Sequence, residues 1–594
     1  MNTTALLEKS STKPGQHDYD VVIMGAGFAG ICQARHLALN IPNIKVALVD
    51  FRPEERDVKD MKIGESMVEV AALFVCKELG LHEYMIENHT PKAGLNFHWP
   101  KQTEETDQLD DYYHVWSNRQ TAVASFHMNR AKFERDVLAM TREMGVDFYN
   151  GRVMDVELPE RDILNTVKVK LNGELMELTA KHVVDAAGRQ CMIGKKKDNL
   201  ITEPENLYGL NTGSAWVRVK NIDRNLFDEG YNPDRATSSS YYATNHFFGQ
   251  GHWLWMIPTD RESMELSIGI IHHHNVIPSK SINSKEKFYA FLKSNHKILA
   301  NLVESGEDID FRYRRSIAYK SKEMFSSDNW YVLGDAAYIF DAFYSYGTTT
   351  IAFAVEGVTE IIRAKLAGEA DAETKRSAYN QFNLAYAENV NHLIRFHDKQ
   401  LGHASVMSWR VYFEYMWWFG VHVPMYVGKW HLNLTFVNKF LKLMPANMKG
   451  LFVDVYDQFN QIVDRGGNIG LMDAYRADQL VGDYSPLNHF DHFLENAKLE
   501  PLRCNVFAGM KYAYFFIALW YVKFQWKGFG LMGILNPRHI YHFLRLLSLS
   551  VQAVIGEKVY QSKTKHLPKN TDTEKMRQEF RQYRYQPAWR TGSN

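Results

Sequence analysis

From residue 18, DYDVVIMGAGFAGICQARHLALN reads as a buried strand, a glycine turn and a helix, and KVALVD follows as a second strand. A short, continuously apolar run bounded by turn residues suits a strand covered on both faces, so this is a βαβ unit. Between residues 210 and 275 the rhythm changes to the two-residue alternation of half-buried strands, as in SAWVRV and MELSIGII, and predicts a second sheet inserted into the first unit. From about residue 355 onward the pattern becomes helical and rich in aromatic side chains. The chain is therefore expected to be α/β. It has a mobile polar start over 1–18, a Rossmann-type nucleotide-binding module over 18–360 with an inserted substrate-side sheet at about 205–320, a helical aromatic region over 361–561 and a polar arm over 562–594.

At 594 residues a large core is easily built. Lys plus Arg and Asp plus Glu balance at 69 each, so no net field favours nucleic acid or an anionic surface, and a ligand must be held by local chemistry. Cys32, Cys76, Cys191 and Cys504 lie far apart without C-x-x-C spacing, which argues against a zinc ribbon or a disulfide framework and suits a reducing compartment. The first 20 residues hold no apolar run of signal-peptide length, so a cytoplasmic location is expected. YMWWFGVHVPMYV (415–427) and YAYFFIALWYV (512–522) fall short of the ~20 apolar residues that span a bilayer and read as core or pocket helices; contact of one of them with a membrane surface stays open as the lesser alternative but is not expected. His272, His273 and His274 read as a strand-end loop and not a metal site, because neighbours on a strand point to opposite faces.

Gly25, Gly27 and Gly30 form G-x-G-x-x-G directly after a strand. The first allows the tight turn, the second lets backbone approach a pyrophosphate, and the third lets helix pack on strand with its N-terminus toward the phosphates. Asp50 ends the next strand 20 residues beyond Gly30, in place to accept hydrogen bonds from a ribose. Glycine spacing alone does not separate NAD from FAD. Two later segments do, VVDAAGR (183–189) and WYVLGDAAYIFDAFYSYGTTTIAFAVEG (330–357): with them, residues 18–360 resemble the flavoprotein monooxygenases of the para-hydroxybenzoate hydroxylase type. The resemblance implies that Gly334 and Asp335 bind ribityl and phosphate oxygens of FAD. It also implies that Arg130, in the R-x-x-F-x-x-x-L element of MNRAKFERDVL (128–138), stands near the flavin.

GHWLWMIP (251–258) places Trp253 and Trp255 on one face of a strand. On their own they read as two core tryptophans. Inside a flavoprotein frame, Trp253, Trp255, Ile257 and Pro258 are similar to the W-x-W-x-I-P signature of the flavin-dependent halogenases. The resemblance implies two stacked indoles filling the space where a hydroxylation substrate would meet the flavin. Residues 62–100 are similar to the halogenase stretch that begins with G-E-[AS]. Gly64, Glu65 and Ser66 would then lie beside the flavin and Lys92 would be the catalytic lysine; without that match Lys92 reads as a surface lysine before a strand. The implied reactants are FADH2, O2 and a halide, chloride or bromide, which yield hypohalous acid. Lys92 then either polarises this oxidant as an ammonium or forms a haloamine. SYGTT (345–349) matches the family's S-x-G loop, which makes Tyr346 and Gly347 candidate halide contacts through backbone N–H groups.

Two departures narrow the substrate. Tryptophan halogenases carry a glutamate just before the serine of that loop; here Tyr344 precedes Ser345, and FDAFYS replaces F-x-D-P-x-x-S. Free tryptophan is therefore disfavoured, and a phenolic, pyrrolic or carrier-tethered acceptor is expected, although Tyr344 could also simply fill space. Trp409, Phe413, Tyr415, Trp417, Trp418 and Phe419 form either a pocket wall or core. With no second G-x-G-x-x-G for NAD(P)H, a separate NAD(P)H-dependent flavin reductase is the expected partner, besides a small-molecule or carrier-protein-tethered substrate. Hydroxylation, epoxidation or reduction of an isoprenoid-type chain is the rival chemistry on this frame, and a catalytically silent FAD-binding subunit is the third reading.

Overall fold

The computed structural model describes residues 17–56, 62–116, 124–161, 163–227, 239–472 and 506–563. The polar start, apart from residues 17 and 18, and nearly all of the C-terminal arm lie outside the described residues, as does Cys504.

The apolar run of β1 (Tyr19–Met24) pairs in parallel with β2 (Val46–Asp50) on one side and β10 (Glu174–Asp185) on the other. Beyond β2 lies β7 (Asp147–Asn150); beyond β10 lie β9 (Asn165–Leu171) and β8 (Arg152–Glu157), and β18 (Trp330–Val332) joins β10 in parallel. Met24 is level with Asp185, and Asp185 with Val332. Register therefore brings the turns after β1, β10 and β18 to one carboxyl edge, where open α/β sheets bind ligands. Helix α1 (Phe28–Asn40) starts so tightly on β1 that a Cβ on Gly30 would stand 1.9 Å from the Gly25 carbonyl oxygen, while Gly25 takes φ +102°. Only glycine fits either place.

The second sheet runs β16 (Glu307–Arg314), β12 (Thr212–Lys220), β15 (Glu265–His273), β14 (His252–Asp260), β13 (Thr244–Gly249), β4 (Leu95–Pro100) and β5 (Tyr112–Trp116). Five strands come from the expected insertion; β4 and β5 come from earlier residues, recruited because β13 pairs with β4 in parallel. Alternation splits the faces. Phe97, Phe248, Trp253 and Trp255 join the main core shared with the first sheet, whereas Phe247, Leu254, Met256 and Ile268 form a second core. Two short pairings complete the strands: β3 (Thr90–Lys92) sets Lys92 opposite Ser125 of β6 (Ser125–His127), and β11 (Leu200–Ile201), β17 (Tyr319–Ser321) and β19 (Tyr338–Ile339) form a small sheet.

Helix α2 (Arg130–Glu143) packs against α1, and α3 (Tyr346–Leu366) is tied to α1 by Gln33 and His36, which both meet Thr359 Oγ1, at 3.0 and 2.8 Å. The module boundary expected at residue 360 thus falls inside a helix that belongs to both parts. The helical region continues through α4 (Ala404–Trp417), α5 (Val453–Asp464), α6 (Val506–Leu535) and α7 (Pro537–Lys563). Residues 415–423 and 425–427 are core, Tyr415 being half-buried, and among the described residues no helix is long and apolar enough to cross a membrane. His272 and His273 end β15 and are not loop residues, and no group that could hold a metal ion occurs among the described residues.

Gly30→Ala is expected to lose about 1–3 kcal/mol of stability by overpacking. Chemical denaturation checks this, and retention of FAD should fall in parallel.

Candidate active site

Three arginines gather at the glycine turn. Arg52 Nη2 and Arg56 Nη2 donate to the Ala26 carbonyl at 3.2 and 3.0 Å. Asp50 sits at the end of β2 as expected, and its carboxylate accepts the Ala26 amide at 2.7 Å and the Arg52 amide at 2.8 Å. Against burial, which alone would raise it, the Arg52 guanidinium and amide hold this carboxyl below the usual range. Glu134, one turn beyond Arg130 on α2, accepts Phe28 N at 3.2 Å, Arg130 Nη2 at 2.6 Å and Arg52 Nη1 at 2.9 Å. Arg130 also donates to Ile63 O at 2.9 Å, and a Cβ on Gly64 (φ +97°) would come within 2.7 Å of its Nη1. Arg130 therefore clamps the Gly64–Ser66 turn onto the start of α1.

The residues present fit a flavin dinucleotide. Gly25 and Gly30 leave no room for side chains, the buried Arg130 Nε has no hydrogen-bond partner, and Asp335 lies exposed on the turn at Gly334. Gly334 (φ +56°) rests on α1, where its Cβ would stand 3.1 Å from that of Ala29. Cations, an exposed carboxylate and a bare glycine turn are the groups that phosphates, ribose and ribityl hydroxyls need. Sequence reasoning found Arg130 and missed Glu134, although a spacing of four on a helix is the signature of an ion pair.

Lys92 is not at the surface; it is 1 % exposed, and its Nζ donates to Ser66 Oγ at 2.9 Å and to Met67 O at 2.8 Å. Ser66 Oγ meets Thr244 Oγ1 at 2.9 Å, which in turn meets His127 Nε2 at 2.8 Å. Burial pushes the Lys92 ammonium down to about 7, with the nearby Glu69 charge resisting. The two acceptors match the two N–H bonds of a neutral amine and leave its lone pair free. Glu65 is also deeply buried, 3.6 Å from Arg218 Nη1, and burial holds its carboxyl above the usual range.

Trp253 and Trp255 share one face, with ring centroids 5.9 Å apart, but the rings are tilted by 54° and not stacked. Trp253 Nε1 donates to Asp341 Oδ1 at 3.1 Å and Trp255 Nε1 to Ser267 Oγ at 3.2 Å. Trp255 lies over Gly269 on the neighbouring strand, where a Cβ would meet the indole at 2.1 Å. Asp341 belongs to the loop that carries Tyr344. Its Oδ1 also accepts Phe343 N at 2.9 Å, its Oδ2 is buried without a partner, and burial raises the carboxyl to about 7.

Tyr344 and Ser345 are successive left-handed residues, φ 64° and 56°, a conformation that costs about 1–3 kcal/mol at each non-glycine position. The helical region holds the loop there. Tyr344 Oη donates to Glu414 Oε2 at 2.6 Å, and Glu414 Oε1 accepts Tyr456 Oη at 2.8 Å and Arg410 Nε at 3.0 Å. Tyr346 and Gly347 prove to be the first two residues of α3, whose start has no side-chain cap, so their N–H groups lack helical partners. Trp418 joins this loop to the lysine: its ring lies 5.5 Å from Tyr346, and its Nε1 donates to Glu69 at 2.8 Å. Of the six aromatics, Trp409, Phe413 and Trp417 are core, whereas Tyr415 and Trp418 pack on Tyr344 and Tyr346, with Phe419 against Tyr415. Glu414 escaped sequence reasoning; its signal was a charged pair, Arg410 and Glu414, inside an otherwise apolar helix.

Residues 20–125 and 114–410 match the tryptophan halogenase family model. The chain is 37% identical to the flavin-dependent halogenase chlA of Dictyostelium discoideum, across 96% of this chain and 97% of that one. It is 27% identical to a 1H-pyrrole-2-carbonyl-(peptidyl-carrier protein) chlorinase of Pseudomonas fluorescens, across 56% of this chain and 73% of the other. Among solved structures, halogenase PltM in complex with phloroglucinol and FAD shares the fold, with a TM-score of 0.55 at 15% identity over 97% of this chain and 99% of that one. With glycine turn, enclosed lysine and paired tryptophans in one frame, the chain belongs to the tryptophan halogenase family and is a flavin-dependent halogenase that uses FAD.

Proposed function

We propose that this enzyme uses O2 and chloride or bromide to halogenate an electron-rich phenolic, pyrrolic or carrier-tethered ring, with Lys92 carrying the halogen. The observation that carries the reading is the enclosed Lys92 amine, held by Ser66 Oγ and Met67 O with no carboxylate hydrogen-bonded to it among the described residues. The name of the pyrrolyl-carrier chlorinase supports a ring that activates itself. A separate NAD(P)H-dependent flavin reductase supplies reduced flavin.

FAD would be held by Gly25, Gly27, Gly30, Asp50, Gly64, Glu65, Ser66, Arg130, Gly334 and Asp335, and when reduced it supplies the oxygen activation that turns halide into hypohalous acid. The Tyr346 and Gly347 amides hold the halide at the uncapped start of α3. Trp253 and Trp255 fill the space a ring would need, so that only a small oxidant passes. The Lys92 lone pair attacks the halogen of hypohalous acid, the halogen–oxygen bond breaks, and the departing hydroxide takes one amine proton and leaves as water. A substrate carbon then takes the halogen, the electron pair of the nitrogen–halogen bond returns to the nitrogen, and the proton that the ring carbon gives up on rearomatising restores the amine. Tyr344 accepts the phenolic proton of the substrate while passing its own to Glu414. A carboxylate reaches the substrate through one hydroxyl, where tryptophan halogenases place it directly.

Three outcomes are expected. Lys92→Met keeps FAD binding and flavin oxidation but loses about 10²–10⁴-fold in halogenated product. It also gains on the order of 2–4 kcal/mol in chemical denaturation, because a buried amine is removed; unchanged product refutes the assignment. In the wild type, product per flavin oxidised climbs as pH rises through about 7 and then levels off, since the depressed lysine is neutral above that value; a decline above 7 would assign the ammonium instead. Tyr344→Phe slows phenol halogenation by about 10–100-fold with flavin oxidation intact. Mass spectrometry of the products, with reductase, NADH and bromide supplied, reads the halogenation outcomes, flavin absorbance reads the oxidation, and a denaturant titration reads the stability. An oxygenated product without bromide dependence would favour hydroxylation.

A further inference from the structure

Exposed large apolar side chains are unevenly spread over this enzyme. Thirteen of the 23 among the described residues lie on α6 and α7. The two helices are joined at Asn536 and pack together as a hairpin, with Tyr521 and Phe529 of α6 at ring distances of 6.2 and 6.3 Å from His539 of α7. Their inner faces are fixed to the enzyme body. Trp520 stacks 4.7 Å from Phe413, Gln525 donates to Gln458 at 2.8 Å, and Asp454 binds Arg538 at 2.6 Å and His542 at 2.5 Å. The outer end has no comparable cover among the described residues: Trp526 is 58 % exposed, Leu531 61 %, Met532 79 %, Leu535 58 % and Tyr541 59 %.

Charge on the same hairpin is one-sided. From residue 506 to 556 the chain carries Lys511, Lys523, Lys527, Arg538 and Arg545 and neither Asp nor Glu, in a protein whose charges balance at 69 to 69. Burial and the neighbouring Lys527 lower the Lys523 ammonium. Neither helix is long and apolar enough to cross a bilayer. An apolar end bordered by Trp and Tyr and flanked by cations fits the layer between headgroups and acyl chains. A second copy fits less well, because a two-fold contact would set one basic hairpin against another.

We propose that the α6–α7 hairpin is a monotopic anchor whose apolar end enters the headgroup layer of an anionic phospholipid membrane, seating the halogenase on the surface without crossing it. The proposal stands apart from the Lys92 chemistry and is tested with the full chain loaded with FAD. Vesicles of phosphatidylcholine alone, or with about one-fifth phosphatidylserine, are mixed with the enzyme and sedimented. The wild type should pellet with the mixed vesicles, and less so at high salt. The triple variant Leu531→Ser, Met532→Ser, Leu535→Ser should lose about tenfold or more of the bound fraction. The pair Lys523→Gln, Lys527→Gln should lose the preference for phosphatidylserine. Both variants should hold FAD and halogenate a water-soluble phenol at the wild-type rate. Wild-type enzyme that stays in the supernatant with both vesicle types overturns the proposal. So does a dimer in sedimentation velocity that the triple variant dissolves, which would assign the face to a second copy.

Discussion

The catalytic end depends on the close approach of α1 to β1 at Gly25 and Gly30. Because the helix starts within contact of the strand, Phe28 N points at Glu134, and Glu134 fixes both Arg52 and Arg130. Arg130 holds the carbonyl of Ile63, and with it the turn that presents Ser66 and Met67 O to Lys92. One steric tolerance at the glycine turn is thus transmitted through a chain of polar contacts to the amine. Parallel register does the rest, levelling β1, β10 and β18 so that segments more than 100 residues apart in sequence serve one edge.

Two features of the site oppose folding, and their supports explain the helical region. A lysine enclosed with no hydrogen-bonded carboxylate among the described residues holds its charge less readily, and two consecutive left-handed residues at Tyr344 and Ser345 hold strain. Neither would persist on a loose loop. Glu414 grips Tyr344, Trp418 spans Tyr346 and Glu69, and Trp253 with Phe343 closes the remaining side. Glu414 and Trp418 of the helical region thus help keep the loop in its strained shape. Ala342 stands where the family pattern has proline, so part of that shaping rests on side-chain contacts in place of a rigid ring.

Much of this was legible in the chain. Continuous apolar runs and two-residue alternation revealed both sheets, the glycine motif located the tight turn after β1 at the carboxyl edge, and W-x-W-x-I-P marked two tryptophans on one face. What stayed hidden were partners brought together across long separations. Glu414 meets Tyr344 from 70 residues away, and β4 reaches β13 over a similar or greater distance, so no local rhythm announces either. Asp341 was in view inside FDAFYS, yet only the fold shows one of its oxygens holding an indole and the other buried without a partner. Lys92 was recognised by its neighbours in sequence, but the lowering of its ammonium follows from burial, which sequence reports poorly.

Whole-chain charge was the least informative quantity. Screening at physiological salt extends about 8 Å, so a surface responds to the charges beside it and not to a sum over 594 residues. A balance of 69 to 69 is compatible with a hairpin that carries five cations and no anion from 506 to 556. Apolar exposure obeys the same locality. Ten scattered exposed side chains on the body need no explanation, whereas thirteen gathered on two packed helices do. Where a local rule is broken, as with a buried amine or an exposed apolar end, the fold has been held there against its own stability. Such places are where function is expected to reside.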